Sequence, residues 1–221
     1  MISSSILFRT FFIKADDYGT AFALDIEGEQ YLITARHLFL DLQRKPCLKI
    51  FQHRTWRDLE CDLVGHGRGE VDISVLKPRA RLVGAEYEVA PSIAEMALGQ
   101  DVYFLGFPYK NWADVGDLMN GFPCPFVKKG SLSSISFEGP QTLYVDAINN
   151  EGFSGGPLFF YPRDNKQKVC VAGVVSKFLL QEEPVIDGDG ELTSMRVSYN
   201  TGFLIAYGSK HVLDIVARAA G

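Results

Sequence analysis

Between two apolar stretches, 144–148 and 158–161, the chain places Gly152-Phe153-Ser154-Gly155-Gly156-Pro157. A serine followed by two glycines and a proline often marks a surface turn and nothing more. Here both flanks read as strands, so the serine stands at a bend between them with backbone N–H groups gathered around one point. A nucleophile needs such a place, because the oxyanion it creates must meet donors that are already fixed.

Two further segments narrow the reading. In Tyr31-Leu32-Ile33-Thr34-Ala35-Arg36-His37 an apolar run ends just before a histidine, which sets the imidazole at a strand end. In Val71-Asp72-Ile73-Ser74-Val75-Leu76 an aspartate opens an alternating strand with Val71, Ile73 and Val75 on one face. Each residue alone has an ordinary explanation. A lone histidine is more often a structural or surface group, and Asp58 and Asp62 compete with Asp72 for any carboxylate role. His53, His66 and His211 lack comparable surroundings and read as surface residues. Together, His37, Asp72 and Ser154 supply a base, an orienting acid and a nucleophile in the chain order of the chymotrypsin-like triad, not of the subtilisin or α/β-hydrolase ones.

The rest of the chain is rhythmic. Strand signals at 6–14, 20–26, 30–34, 48–52, 59–64 and 72–76 are separated by short turns, and a second series follows at 101–107, 129–137, 142–147, 156–161, 169–178 and 195–205. Strands at this spacing predict a sandwich or barrel. The alternation weakens around 78–91. Residues 111–122 and 182–191, acidic and glycine-containing, read as exposed loops. Ser209 as N-cap, with Val212, Ile215 and Val216 at helical spacing, predicts a C-terminal helix packed on the second half.

Three function classes fall away on composition. No run reaches about 18 consecutive apolar residues, so no membrane span is expected. With net charge −5 and no basic run longer than Lys128-Lys129, there is no concentrated positive patch for nucleic acid. No Cys/His cluster has zinc spacing, so no metal or organic cofactor is expected. The first nine residues carry neither a basic n-region nor a long apolar h-region, and a cytoplasmic location with reduced cysteines is the expectation. Cys170, inside an apolar strand, reads as a buried thiol. Cys47 and Cys61 could pair in an oxidising compartment.

The three segments resemble the trypsin-like serine proteases, most closely the bacterial high-temperature-requirement (HtrA) branch. Gly19-Thr20-Ala21-Phe22 is similar to that family's Gly-x-Gly-Phe strand, with Ala21 where a glycine is usual. Leu63-Val64-Gly65, Asp101-Val102-Tyr103-Phe104-Leu105-Gly106-Phe107-Pro108, Lys129-Gly130-Ser131-Leu132-Ser133-Ser134-Ile135 and Thr201-Gly202-Phe203-Leu204-Ile205 also have counterparts, so the likeness spans roughly residues 15–215. No PDZ-like segment follows, and the cysteines do not bracket the histidine as in secreted trypsins.

The resemblance implies an all-β fold of two Greek-key β-barrels with a short C-terminal helix. It divides the chain into a first barrel at 1–85 carrying His37 and Asp72, a connection at 86–94, and a second barrel at 95–221 carrying Ser154. It implies a serine endopeptidase acting on a peptide or protein substrate: Ser154 attacks, His37 takes the proton, and Asp72 orients the imidazole. Histidine suits this work because its ordinary pKa lies near 6.5. The N–H groups of Gly152 and Ser154 would form the oxyanion hole, and glycine at 152 gives the φ freedom to turn an N–H inward. Ile148 would floor the specificity pocket, which lacks a carboxylate and so favours a small or medium apolar P1 residue. Val174, Val175 and Ser176 would pair with the substrate backbone, and Gly202 would lie on the opposite wall.

Phe153 departs from the secreted digestive enzymes, whose aspartate before the serine pairs with a newly cut N-terminus. Phenylalanine cannot form that pair, so the oxyanion loop must be ordered by other means. A rival reading follows: a protease-fold module that captures peptides without cutting them, or cuts only with a partner. An esterase of unrelated fold would need a histidine of convincing context after Ser154, and none is present.

Overall fold

The computed structural model describes residues 2–40 and 48–221. The chain opens with a short helix, α1 (Ser4–Phe8), not the expected strand start at 6: the Ser3 side chain accepts the Ser5 N–H and caps a turn that buries Ile6. The first sheet then follows as β1 (Thr10–Lys14), β2 (Tyr18–Ile26), β3 (Glu29–Thr34), β4 (Leu48–Gln52), β5 (Thr55–Leu59), β6 (Cys61–His66) and β7 (Ser74–Pro78). Its spatial order is β5-β4-β1-β2-β3-β7-β6. The expected strand at 59–64 is thus the end of one strand and the beginning of the next.

The second sheet consists of β8 (Ala90–Pro91), β9 (Asp101–Gly106), β10 (Phe126–Ser136), β11 (Thr142–Asp146), β12 (Pro157–Phe160), β13 (Cys170–Ile186) and β14 (Leu192–Gly208). Its order is β12-β9-β10-β11-β14-β13-β8, and an added β12–β13 pairing closes six of these strands into a barrel. The fold is the expected all-β arrangement of two curled sheets with a C-terminal helix, α2 (Lys210–Ala220). No helix of the described residues is long and apolar enough to cross a membrane.

Among the described residues, three apolar clusters hold this together. One fills the first sheet around Phe11, Leu32, Leu48 and Leu76. Another fills the second around Phe104, Leu143, Phe153 and Leu204. A third lies between the sheets, joining Phe22, Ile33 and Val75 to Leu105, Phe159 and Val174. Helix α2 adds Val212, Ile215 and Val216 to that middle cluster and packs on β6 and β7 as well as β14. It therefore fastens both halves and does not rest on the second alone, because its apolar stripe meets surface from both sheets. Phe11 and Phe12 are buried, as in an ordinary first strand.

The stretch 182–191 is exposed as expected, but only 187–191 is a turn. Strands β13 and β14 continue past the barrel as a two-stranded ribbon, with Glu182 opposite Ser198 and Ile186 opposite Leu192. Its tip is closed by Asp187, whose carboxylate accepts the N–H groups of Asp189 and Glu191.

Candidate active site

His37 lies in a 3-10 turn (Arg36–Leu38) directly after β3. Asp72 precedes β7 between buried Val71 and Ile73, so its own position is fixed by its neighbours. The two meet twice: Asp72 Oδ1 accepts the His37 backbone N–H at 2.9 Å, and Oδ2 lies 2.6 Å from His37 Nδ1. A carboxylate accepts only, so this contact places the imidazole proton on Nδ1 and leaves Nε2 as the acceptor. His37 is about half exposed (49%), whereas the Asp72 side chain is 14% exposed. Burial by itself would push the Asp72 carboxyl up; the hydrogen bonds and charge of His37, with the Ser176 hydroxyl, outweigh it and hold the group below its ordinary value.

Arg36, given no role by the sequence, clamps the loop ahead of Asp72. Its guanidinium donates to the carbonyls of Gly67 and Gly69, both at 2.8 Å. Its place next to His37 was the only signal that could have found it.

Ser154 sits in the loop between β11 and β12. Carbonyls on this loop are held from several sides. Thr20 Oγ1 donates to the Gly152 carbonyl at 2.7 Å, the Thr20 N–H to the Ser154 carbonyl at 3.0 Å, and the Tyr109 N–H to the Glu151 carbonyl at 3.0 Å. Gly152 has φ +97°, and a Cβ there would lie 2.2 Å from the Phe107 carbonyl oxygen. Gly155, at φ +83°, is equally confined by the Thr20 carbonyl. Phe153 is fully buried, packed edge-on against Phe104 with ring centroids 5.0 Å apart. This aromatic anchor stands where the digestive enzymes carry an ion pair. Among the described residues, the N–H groups of Gly152 and Ser154 have no hydrogen-bond partner.

One residue links the two sides. The Ser154 hydroxyl donates to the Ser176 carbonyl at 3.0 Å, and the Ser176 hydroxyl donates to Asp72 Oδ2 at 2.6 Å. Among the described residues, His37 and Ser154 also line two cavities together. One, of about 210 Å³, is bordered by Tyr18, Phe107, Lys110 and Gly152. The other, of about 640 Å³, is bordered by Arg36, Asp72, Ser176, Lys177 and Phe178. Among the described residues no hydrogen bond joins Ser154 to His37 directly.

Other expected site residues are elsewhere. Val174 and Val175 are fully buried, and both edges of the strand are occupied there: Val174 pairs with Pro157 and Tyr207, and the Val175 N–H and C=O are bonded to Gly156 and Gly155. They cannot receive a substrate backbone. The edge of β13 facing the cavity is Ser176-Lys177-Phe178, beyond the last β12 pairing. Ile148 is 61% exposed and lines neither cavity, so it does not floor a pocket there. Gly202 lines neither cavity; its carbonyl accepts the Ala147 N–H. His66 and His211 are not simply surface groups, since His66 Nδ1 lies 2.8 Å from Ser74 Oγ and half-buried His211 meets the Gln141 carbonyl. Cys170 is a buried thiol, whereas Cys47, the candidate partner of Cys61, lies outside the described residues.

Residues 19–173 match a family profile described as a trypsin-like peptidase domain. No curated protein matches in sequence. Several solved structures are similar. The Rv3671c protease of M. tuberculosis, in its inactive form, is 15% identical over 99% of this chain and 92% of that one, with a TM-score of 0.61. A serine endoprotease from Yersinia pestis is 18% identical over 99% of this chain and 67% of that one, with a TM-score of 0.58. The HtrA-type protease AlgW with a tripeptide is 19% identical over 97% of this chain and 62% of that one, also at 0.58. At such identities the likeness speaks to the fold.

Proposed function

The chain belongs to the trypsin-like peptidase family and is a serine protease, and on that premise we propose that it is an endopeptidase working through Ser154, His37 and Asp72 by way of an acyl-enzyme. The observation that carries this reading is the convergence of a His37–Asp72 pair and Ser154 on shared cavities, bridged by Ser176. Ser154 Oγ attacks the scissile carbonyl carbon as its proton passes to His37 Nε2. Asp72 keeps the imidazole in the tautomer that can accept it and stabilises the imidazolium. The oxyanion is received by the N–H groups of Gly152 and Ser154, and the imidazolium then protonates the leaving amine. Water, activated by the same imidazole, hydrolyses the acyl-enzyme. An extended substrate adds its backbone to the open edge at Ser176-Lys177-Phe178, the strand-addition mode of peptide recognition.

One observation favours a second reading. The Ser154 hydroxyl is engaged by the Ser176 carbonyl, so its proton must be turned toward His37 before attack. A chain that needs substrate or a partner for that turn would capture peptides and cut only when engaged.

A fluorophosphonate probe separates these readings. Covalent labelling of Ser154, lost in Ser154→Ala and in His37→Ala, is the expected result. Folded protein that stays unlabelled with or without added peptide would overturn the endopeptidase and leave the capture module.

A further inference from the structure

The segment 148–152 leads into the nucleophile without regular secondary structure, so its path must be set from outside. Among the described residues, one side chain does more of this than any other. Lys128, half-buried on β10, donates from Nζ to the Ile148 carbonyl and to the Asn150 side-chain oxygen. The same ammonium lies 5.5 Å from the centre of the Phe153 ring. Asn150 passes the link on, its amide donating to the Tyr109 hydroxyl at 3.1 Å, while the Tyr109 N–H holds the Glu151 carbonyl.

Among the described residues Lys128 forms no ion pair. Its neighbour Lys129 does, with Asp101 at 2.9 Å, out on the exposed side of the strand. An ammonium that is partly desolvated must be compensated by its hydrogen bonds, and those from a charged donor are the strong ones. Here both go to the loop that carries Gly152.

We propose that Lys128 is a positioning residue: its ammonium fixes residues 148–152 so that the Gly152 N–H faces the cavity as an oxyanion donor. The proposal rests on the reading of Ser154 as nucleophile, and it gives the loop a polar tether beside the aromatic anchor Phe153. Misplacing such a donor by about an ångström is enough to lower a rate roughly 100-fold.

The test compares Lys128→Met and Lys128→Gln with Lys129→Met as control. Hydrogen exchange read on peptides covering 147–156 should rise about tenfold in both Lys128 variants and stay unchanged in the control. Fluorophosphonate labelling of Ser154 should slow by roughly 10- to 100-fold, with kcat falling more than KM rises, and Lys128→Arg should restore most of the rate. A merely structural lysine would lower the melting temperature without splitting kcat from KM. Unchanged exchange across 147–156 in folded Lys128 variants overturns the proposal, whatever the labelling does. A wild-type chain that never labels overturns the protease mechanism instead, and the exchange measurement still decides on Lys128.

Discussion

The histidine side and the serine side of the site are built on opposite plans. On the first, Asp72 is saturated: it accepts the His37 N–H, faces the His37 ring and accepts the Ser176 hydroxyl. On the second, what is saturated is the carbonyls of Glu151, Gly152 and Ser154, held by Tyr109, Thr20 and Phe107, while two N–H groups are left without described partners. A group that orients another works best when each of its acceptors is occupied. A group that must receive transient charge works best when it is rigid and open. The two plans therefore fail in different ways, and substitutions can be chosen to show which has been broken.

Asp72→Asn should give the largest effect. It keeps the shape but presents an amide that cannot hold the Nδ1–H tautomer, and kcat should fall about 10⁴-fold, as removal of this charge does in comparable triads. The fold should survive, which circular dichroism would verify. The charge also sets a pH dependence. Because the folded carboxyl lies below its ordinary value, its stabilising contribution is complete above the usual carboxylate range. It is lost as pH falls through the lowered value, so melting temperature in wild type should drop below about pH 4, and that part of the drop should be missing in Asp72→Asn.

Phe153→Ala attacks the other plan. Emptying a fully buried aromatic position costs about 3–5 kcal/mol, and in a chain of this size the melting temperature should fall by roughly 10 °C. Calorimetry would measure that fall. Labelling of Ser154 should weaken even well below the transition, because the anchor of the loop has gone. A loop that labels normally with alanine at 153 would mean that the carbonyl clamps suffice without the ring.

Ser176→Ala is smaller and touches both sides at once. A hydrogen bond to a charged group is worth about 1.5–3 kcal/mol, so kcat/KM should fall by roughly 10-fold or more. Removing that bond takes away one of the influences lowering the Asp72 carboxyl, so the acid drop in melting temperature that Asp72 causes should be smaller in Ser176→Ala. An acid drop of undiminished size would assign Ser176 to the substrate edge alone.

How much of this was legible in the sequence follows from what local pattern can carry. His37, Asp72 and Ser154 each sit where an apolar run meets a turn, and that junction is written in adjacent residues. The places they would share are not written there. Val174 and Val175 look like any apolar strand; only the pairing of Pro157 with Val174 shows that their free edge is already taken. Lys128 reads as half of a basic pair, and its difference from Lys129 is the face of β10 on which each falls. The ribbon residues 179–194 show no strand signal because both of their faces meet water, which erases the apolar alternation that marks a half-buried strand.

That ribbon supplies the smallest expected effect, and the sharpest control on the comparison. Ile186, Leu192 and Met195 are 61%, 69% and 62% exposed, so this part of the second sheet buries little against the barrel. Its base does touch the site loop, where the Asn200 side chain donates to the Asn149 carbonyl at 2.7 Å, and it is tied across its own two strands by Thr201 Oγ1 donating to the Leu179 carbonyl at 3.0 Å. Replacing 181–199 with Asn-Gly, the two-residue turn that suits a hairpin, keeps both of those contacts. Stability should then change by less than about 0.5 kcal/mol, the usual bound for surface changes away from packed features. Ser154 labelling should stay within about twofold of wild type, since regions with few buried contacts open independently of the core. If labelling collapses while the melting temperature holds, residues 181–199 act on the Ser154 loop beyond the retained Asn200–Asn149 contact, and the serine side of the site extends beyond the barrel that closes around Phe153.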